Sequence, residues 1–236
     1  MDIVLIGGFG YMTAWIGFFI GVILTAFIKK ADGRLLGSMM GFTAGLLLAF
    51  ICFEMLPGAL ENFGLYQGIG VLLLGVLASS WLEGHMNGLS ALRRASLILI
   101  IGISVHNIPE GMALGSIMKA STVNGFSFAI MIAAHGVPAA LAMALPMKQD
   151  GANLITLILL SFLLSLPMGA GAMAGAFFSS ISPYFLDGCV CFAGGVMLYI
   201  SCGEIIPESK ELWKGRLPAL CSMIGFALGI WLSEKL

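Results

Sequence analysis

Charge is what this chain has least of. Lys, Arg, Asp and Glu together make up 10% of its 236 residues, against 59% that are hydrophobic. No soluble domain hides that much apolar surface, so the composition specifies an integral membrane protein. The net charge of −1 says nothing about nucleic acid, but there is no basic tract, so no nucleic-acid partner is expected and the lipid bilayer is the expected surrounding medium. A basic segment is missing after Met1-Asp2, as is a small-residue cleavage site, so the first apolar run is expected to be a retained span and not a signal peptide. The five cysteines, Cys52, Cys189, Cys191, Cys202 and Cys221, fall in or beside apolar runs and do not form a secreted disulfide framework. Cys189 and Cys191 are two apart, and positions i and i+2 of a helix do not face each other, so they are read as packing. Fifteen methionines are likewise read as filler in apolar helices, which leaves copper a minor option.

What is present is long hydrophobic runs. Windows of about 20 apolar residues fall at 3–28, 36–56, 65–82, 95–118, 123–147, 154–178, 186–206 and 217–232. The expected fold is therefore all-α, with eight transmembrane helices. Lys29, Lys30, Arg34, Arg93, Arg94, Lys148, Lys210, Lys214 and Arg216 lie on one side of that arrangement, and only Lys119 and Lys235 on the other. Positive residues favour the cytoplasm, so both termini are expected outside a cell membrane.

A shift of 150 residues superimposes Gly45, Cys52, Glu54, Pro57 and Glu61 on Gly195, Cys202, Glu204, Pro207 and Glu211, and Gly75 and Trp81 on Gly225 and Trp231. A shift of 29 superimposes His106, Pro109, Met118 and Lys119 on His135, Pro138, Met147 and Lys148. The single transporter domain, 1–236, thus divides into repeat one (1–86), a central helix pair (95–148) and repeat two (151–236). Five spans separate the copies, so the second crosses the bilayer in the opposite sense. Inverted repeats with proline in mid-membrane helices mark alternating-access transporters.

The chemistry lies in the central pair. His106-Asn107-Ile108-Pro109-Glu110-Gly111 interrupts an apolar stretch, and Ala134-His135-Gly136-Val137-Pro138 repeats part of it. His106 and Glu110, at i and i+4, share a helix face. Pro109 has no N–H for the carbonyl of Val105. Ionisable groups at bilayer depth are expensive and point to function. One buried histidine reads as a helix–helix hydrogen bond. Two histidines and a glutamate, each histidine three residues before a proline, read as a site for a divalent cation: zinc first, then iron, manganese, cobalt, nickel or cadmium. Three protein ligands leave a position open for a cargo that must depart. The metal is thus substrate and not a catalytic cofactor. The Asn107 amide either ligates through its oxygen or orients the backbone. Glu54 and Glu204, at the ends of spans two and seven, are expected at the outer and inner mouths of the path. Glu61, Glu208 and Glu211 are read as solvated charge, and His85 as a loop histidine.

On these residues the chain resembles the ZIP family of divalent metal transporters. The motif His106-Asn107-x-Pro109-Glu110-Gly111, the sequence His135-x-x-Pro138 and eight spans with outside termini carry the resemblance, which extends over essentially the whole chain. It implies a three-two-three inverted-repeat bundle, a path lined by spans two, four, five and seven, movement of zinc or similar ions toward the cytoplasm, and a homodimer. It carries metal binding over to His106, Asn107, Glu110 and His135. The family's fifth span usually has Asn or Asp where this chain has Gly136 and Glu where it has Ala139; its sixth often has Glu-Pro where this chain has Leu166-Pro167. Those groups complete a second adjacent metal site, so one ion per chain is expected here. The long histidine-rich cytoplasmic loop of many members is also missing. Two other functions compete: an intramembrane zinc metallohydrolase with Glu110 as general base, which lacks an H-E-x-x-H pair, and a metal-binding sensor without flux.

Overall fold

A computed structural model describes residues 1–28, 32–84, 91–178 and 183–235. Lys29, Lys30, His85 and Met86, with the side chains of Arg93, Arg94 and Lys235, lie outside the described residues. Every regular element among those described is helical: α1 (Ile3–Phe27), α2 (Gly33–Phe50), a π-helical turn π1 (Ile51–Met55), α3 (Leu56–Phe63), α4 (Leu65–Gly84), α5 (Ala91–Ala120), α6 (Thr122–Gln149), α7 (Leu154–Leu164), α8 (Leu166–Phe178), α9 (Pro183–Tyr199), a second π turn π2 (Ile200–Ile205), α10 (Ile206–Leu212) and α11 (Leu217–Lys235). Helices satisfy their own backbone groups, which hydrocarbon cannot do for them. Among the described residues, seven helical runs are long and apolar enough to cross a membrane: Ile3–Phe27, Gly33–Phe63, Leu65–Gly84, Thr122–Gln149, Leu154–Phe178, Asp187–Leu212 and Leu217–Glu234. The 30-residue α5, which carries the His-Asn-x-Pro-Glu-Gly motif, runs among them. The chain is thus an all-α, multi-pass membrane protein.

Side chains start the helices where lipid gives way to water. Asp32 accepts from the N–H of Leu35 at 2.8 Å, Ser121 from that of Asn124 at 3.4 Å, and Asn153 from that of Thr156 at 2.8 Å. Gly64, with φ at 94°, makes the turn from α3 to α4. Lys148 Nζ, at the end of α6, donates to the carbonyls of Thr25 at 2.6 Å and Ile28 at 3.1 Å, capping the last turn of α1.

Prolines do not break the helices as the sequence suggested. Pro109 and Pro138 lie inside continuous α-helix, each removing one backbone bond without unwinding its neighbours. Spans two and seven run past Pro57 and Pro207, because π1 and π2 absorb the disruption. There the N–H of Leu56 reaches the carbonyl of Ile51, and that of Ile206 the carbonyl of Ser201, five residues back. Span six does break, at Ser165 between α7 and α8, next to Pro167.

Packing sorts the helices into two sets. One holds α1, α5, α6, α7 and α8; the other holds α2, α3, α4, α9, α10 and α11 with both π turns. They meet chiefly where α5 lies on α9 and α6 on α2. Burial separates core from rim: 72% of the span-two window and 67% of the α6 window are enclosed, against 11% for α4 and 17% for α11. In lipid the helices are held by close approach of small residues and not by a hydrophobic effect between them. A Cβ on Gly45 would strike the carbonyl of Ser222, and one on Gly195 that of Leu72. Likewise Gly75 abuts the carbonyl of Phe192, and Gly225 that of Phe42.

Candidate metal centre

α5 and α6 meet at three ionisable side chains. His106 and Glu110 stand one turn apart on α5, and α6 brings His135 against them. Glu110 divides its carboxylate between the two rings: Oε2 lies 3.0 Å from Nε2 of His106, and Oε1 lies 3.2 Å from Nε2 of His135. One ligand atom from each residue fits within 4.8 Å of the others. All three are buried, Glu110 to 2% exposure. This is the one group of three or more such residues among those described.

The hydrogen bonds around the centre determine what it needs. Nδ1 of His135 lies 3.0 Å from the carbonyl of Met131, which only accepts, so Nδ1 carries the hydrogen. In the neutral ring that leaves a lone pair on Nε2, turned toward a carboxylate oxygen. Two acceptors at 3.2 Å repel unless a cation, proton or metal, lies with them. Neither oxygen of Glu110 has a hydrogen-bond partner of good geometry, and an unmatched buried carboxylate is costly. A divalent ion supplies what both groups lack. The ring of His135 also stacks on Phe50, with centroids 4.5 Å apart at 26°.

Asn107 is 1% exposed, and its amide nitrogen donates to the carbonyl of Leu164 at 2.8 Å. Leu164 ends α7 at the break in span six, so Asn107 ties the centre to that break. The bond supports the orienting role and occupies only the amide nitrogen. A cavity of about 30 Å³ adjoins the centre, lined by His106, Asn107, His135, Gly102, Ala139 and Ala142 among others. That exceeds the roughly 10–15 Å³ a water needs. No carboxylate lines it; Ala139 does, whereas Leu166 is exposed and lies outside the lining.

Glu54 and Glu204 lie apart from this cluster, in π1 and π2 and not at helix ends. Helix continues for about two turns beyond each, because the π turns accommodate the following prolines. Half-buried Glu54 opens on a cavity of about 310 Å³ shared with Asn124, Ser127, Phe128 and Met131. Glu204 is 8% exposed. Glu61 and Glu211 are exposed. All five cysteines are free, and neither Cys189 nor Cys191 joins the His–Glu cluster. Sequence reasoning missed Met131 and Phe50, which orient His135. Met131 was findable as the i−4 carbonyl; Phe50 lies 85 positions away with no local signal.

Comparison with known proteins agrees with this chemistry. Residues 80–233 match the family model of the ZIP zinc transporter. The chain is 31% identical over 233 residues to the zinc transporter ZupT of Escherichia coli O127:H6 (strain E2348/69 / EPEC), covering 89% of this chain and 91% of that protein. The zinc transporters ZupT of Escherichia coli O7:K1 (strain IAI39 / ExPEC) and strain K12 / DH10B are similar to the same extent.

Proposed function

The chain belongs to the ZIP family of metal transporters, and from that premise we propose that its cargo is zinc, carried toward the cytoplasm through His106, Glu110 and His135. It is a divalent metal transporter and not an enzyme, which removes the metallohydrolase reading. The observation that carries the site is the Glu110 carboxylate, buried and shared between two imidazole nitrogens at 3.0 and 3.2 Å. Asn107 holds the centre in place and offers its oxygen as a further ligand. Glu54, on the open cavity beside Met131, receives the ion at the outer side, and Glu204 accepts it at the inner.

The frame for this path is eight spans in a three-two-three inverted repeat, with both termini outside. The glycine contacts support the repeat: Gly45 on Ser222 and Gly195 on Leu72 are the same pair after a shift of 150, as are Gly75 on Phe192 and Gly225 on Phe42. The paired π turns follow the same shift. A homodimer, as the family resemblance implies, completes the reading. Cavity lining without carboxylates supports one ion per chain. Protein-dependent entry of zinc into liposomes, run beside iron, manganese, cobalt, nickel and cadmium, tests the proposal. Binding with no flux would instead make the chain a sensor.

A further inference from the structure

The two histidines of the centre are held differently. His135 is clamped twice, by the bond from Nδ1 to the Met131 carbonyl and by its stacking on Phe50. His106 has neither restraint. It is 5% exposed, yet its Nδ1 has no hydrogen-bond partner, a condition that costs about 1–3 kcal/mol for a buried polar atom. The space beside it gives that nitrogen a use. Gly102 lies one turn toward the start of α5, the direction in which helical side chains lean, and Ile200 fills the place a Cβ there would take. A cavity of about 30 Å³ adjoins His106, lined by Gly102, Ile103, Ala139 and Ala142 together with Ile200 and Ile205 of π2. π2 is also the turn that carries Glu204.

We propose that His106 is the mobile ligand of the centre and His135 the fixed one. Rotation of the His106 imidazole into the cavity it lines withdraws it from the ion while Glu110 and His135 still hold on. The ion then leaves stepwise, one bond at a time, with a vacated position on the side of π2. Three clamped ligands would have to release together. This assignment rests on the reading of the His–Glu cluster as the cargo site.

The test exploits a chain with three histidines. With ¹⁵N-labelled histidine in the full-length protein in lipid bilayers, solid-state NMR of the zinc-free state is expected to show His135 as a single Nδ1–H tautomer with a rigid ring. His106 is expected to exchange between orientations, and added zinc to shift Nε2 of both. Gly102→Val, which collides with Ile200 and crowds the cavity that both residues line, is expected to keep zinc binding, still the His106 ring and lower zinc flux by about tenfold or more, with Gly102→Ala between. A zinc-free His106 as rigid as His135, or Gly102→Val protein that transports at the unmodified rate, would overturn the assignment. If Gly102→Val fails to fold, the spectra of the unmodified protein decide. Zinc that shifts neither histidine would overturn the cargo site itself and the mobile ligand with it.

Discussion

Glu110 sets its two oxygens against two different imidazoles, so any substitution there removes charge from both at once. Glu110→Gln keeps the size but turns one oxygen into a donor and discards the negative charge. Zinc flux in proteoliposomes is expected to fall on the order of 100-fold or more, as with loss of ligand geometry at other metal sites, while the protein still inserts. His106→Ala and His135→Ala should each remove most of the flux too. Normal transport by Glu110→Ala protein would sink the site. Protons compete with the ion for these nitrogens, because an imidazole ligates only when unprotonated. Zinc affinity, measured by titration calorimetry at a series of pH values, should therefore weaken as the solution is acidified, with protons released on binding. An affinity indifferent to pH would exclude histidine ligation.

Among the elements, α6 offers the most direct test of why the centre takes one ion. Ala139 lines the cavity with His135 and stands four residues on, on the same helical face. Ala139→Glu places a carboxylate where the family resemblance implies one. Zinc should bind more tightly and leave more slowly, read as a lower Kd with reduced flux, while the unmodified chain binds a single mid-membrane ion by anomalous scattering. Two ions there would refute the single-ion centre. The α2–α11 and α4–α9 pairs rest on glycine against backbone carbonyl, and the backbone has nowhere to retreat. Gly45→Val and Gly195→Val should each lower thermal stability in detergent by a similar amount, about 1–3 kcal/mol or more from overpacking. Gly8→Val and Gly70→Val, where a Cβ meets nothing within 4 Å, should leave it nearly unchanged. Equal effects at all four positions would show that these contacts do not hold the pairs.

For the whole molecule, the ligands and the path acids belong to different packing sets. His106, Glu110 and His135 ride on α5 and α6, whereas Glu54 and Glu204 sit in π1 and π2 of the other set. On the proposed path, an ion passing from Glu54 to the centre and on to Glu204 therefore crosses between two packed bodies. The direction of that passage depends on orientation. With the basic loops in the cytoplasm, cysteine introduced at Lys30 or Lys214 should react with an impermeant thiol reagent only after the membrane is opened, and cysteine at Asp2 should react in intact cells. The reverse pattern would exchange the roles of Glu54 and Glu204.

Membrane residence, the helical spans and the three clustered residues His106, Glu110 and His135 were legible in the sequence because each is a local matter. About 20 apolar residues span hydrocarbon wherever they occur, and i and i+4 share a face in any helix. The motif also placed His135 beside the pair, through its own repeat of the histidine–proline spacing. Other features depended on atoms far apart in the chain. Prolines that promised breaks lie in continuous helix or behind π turns, since the cost of one lost backbone bond is settled by neighbouring packing and not by the proline alone. Asn107 is tied to Leu164, and His135 rests on Phe50, by contacts that no spacing encodes. The difference between a clamped and an unclamped histidine arises only when α2 brings Phe50 against His135, while Nδ1 of His106 meets no partner.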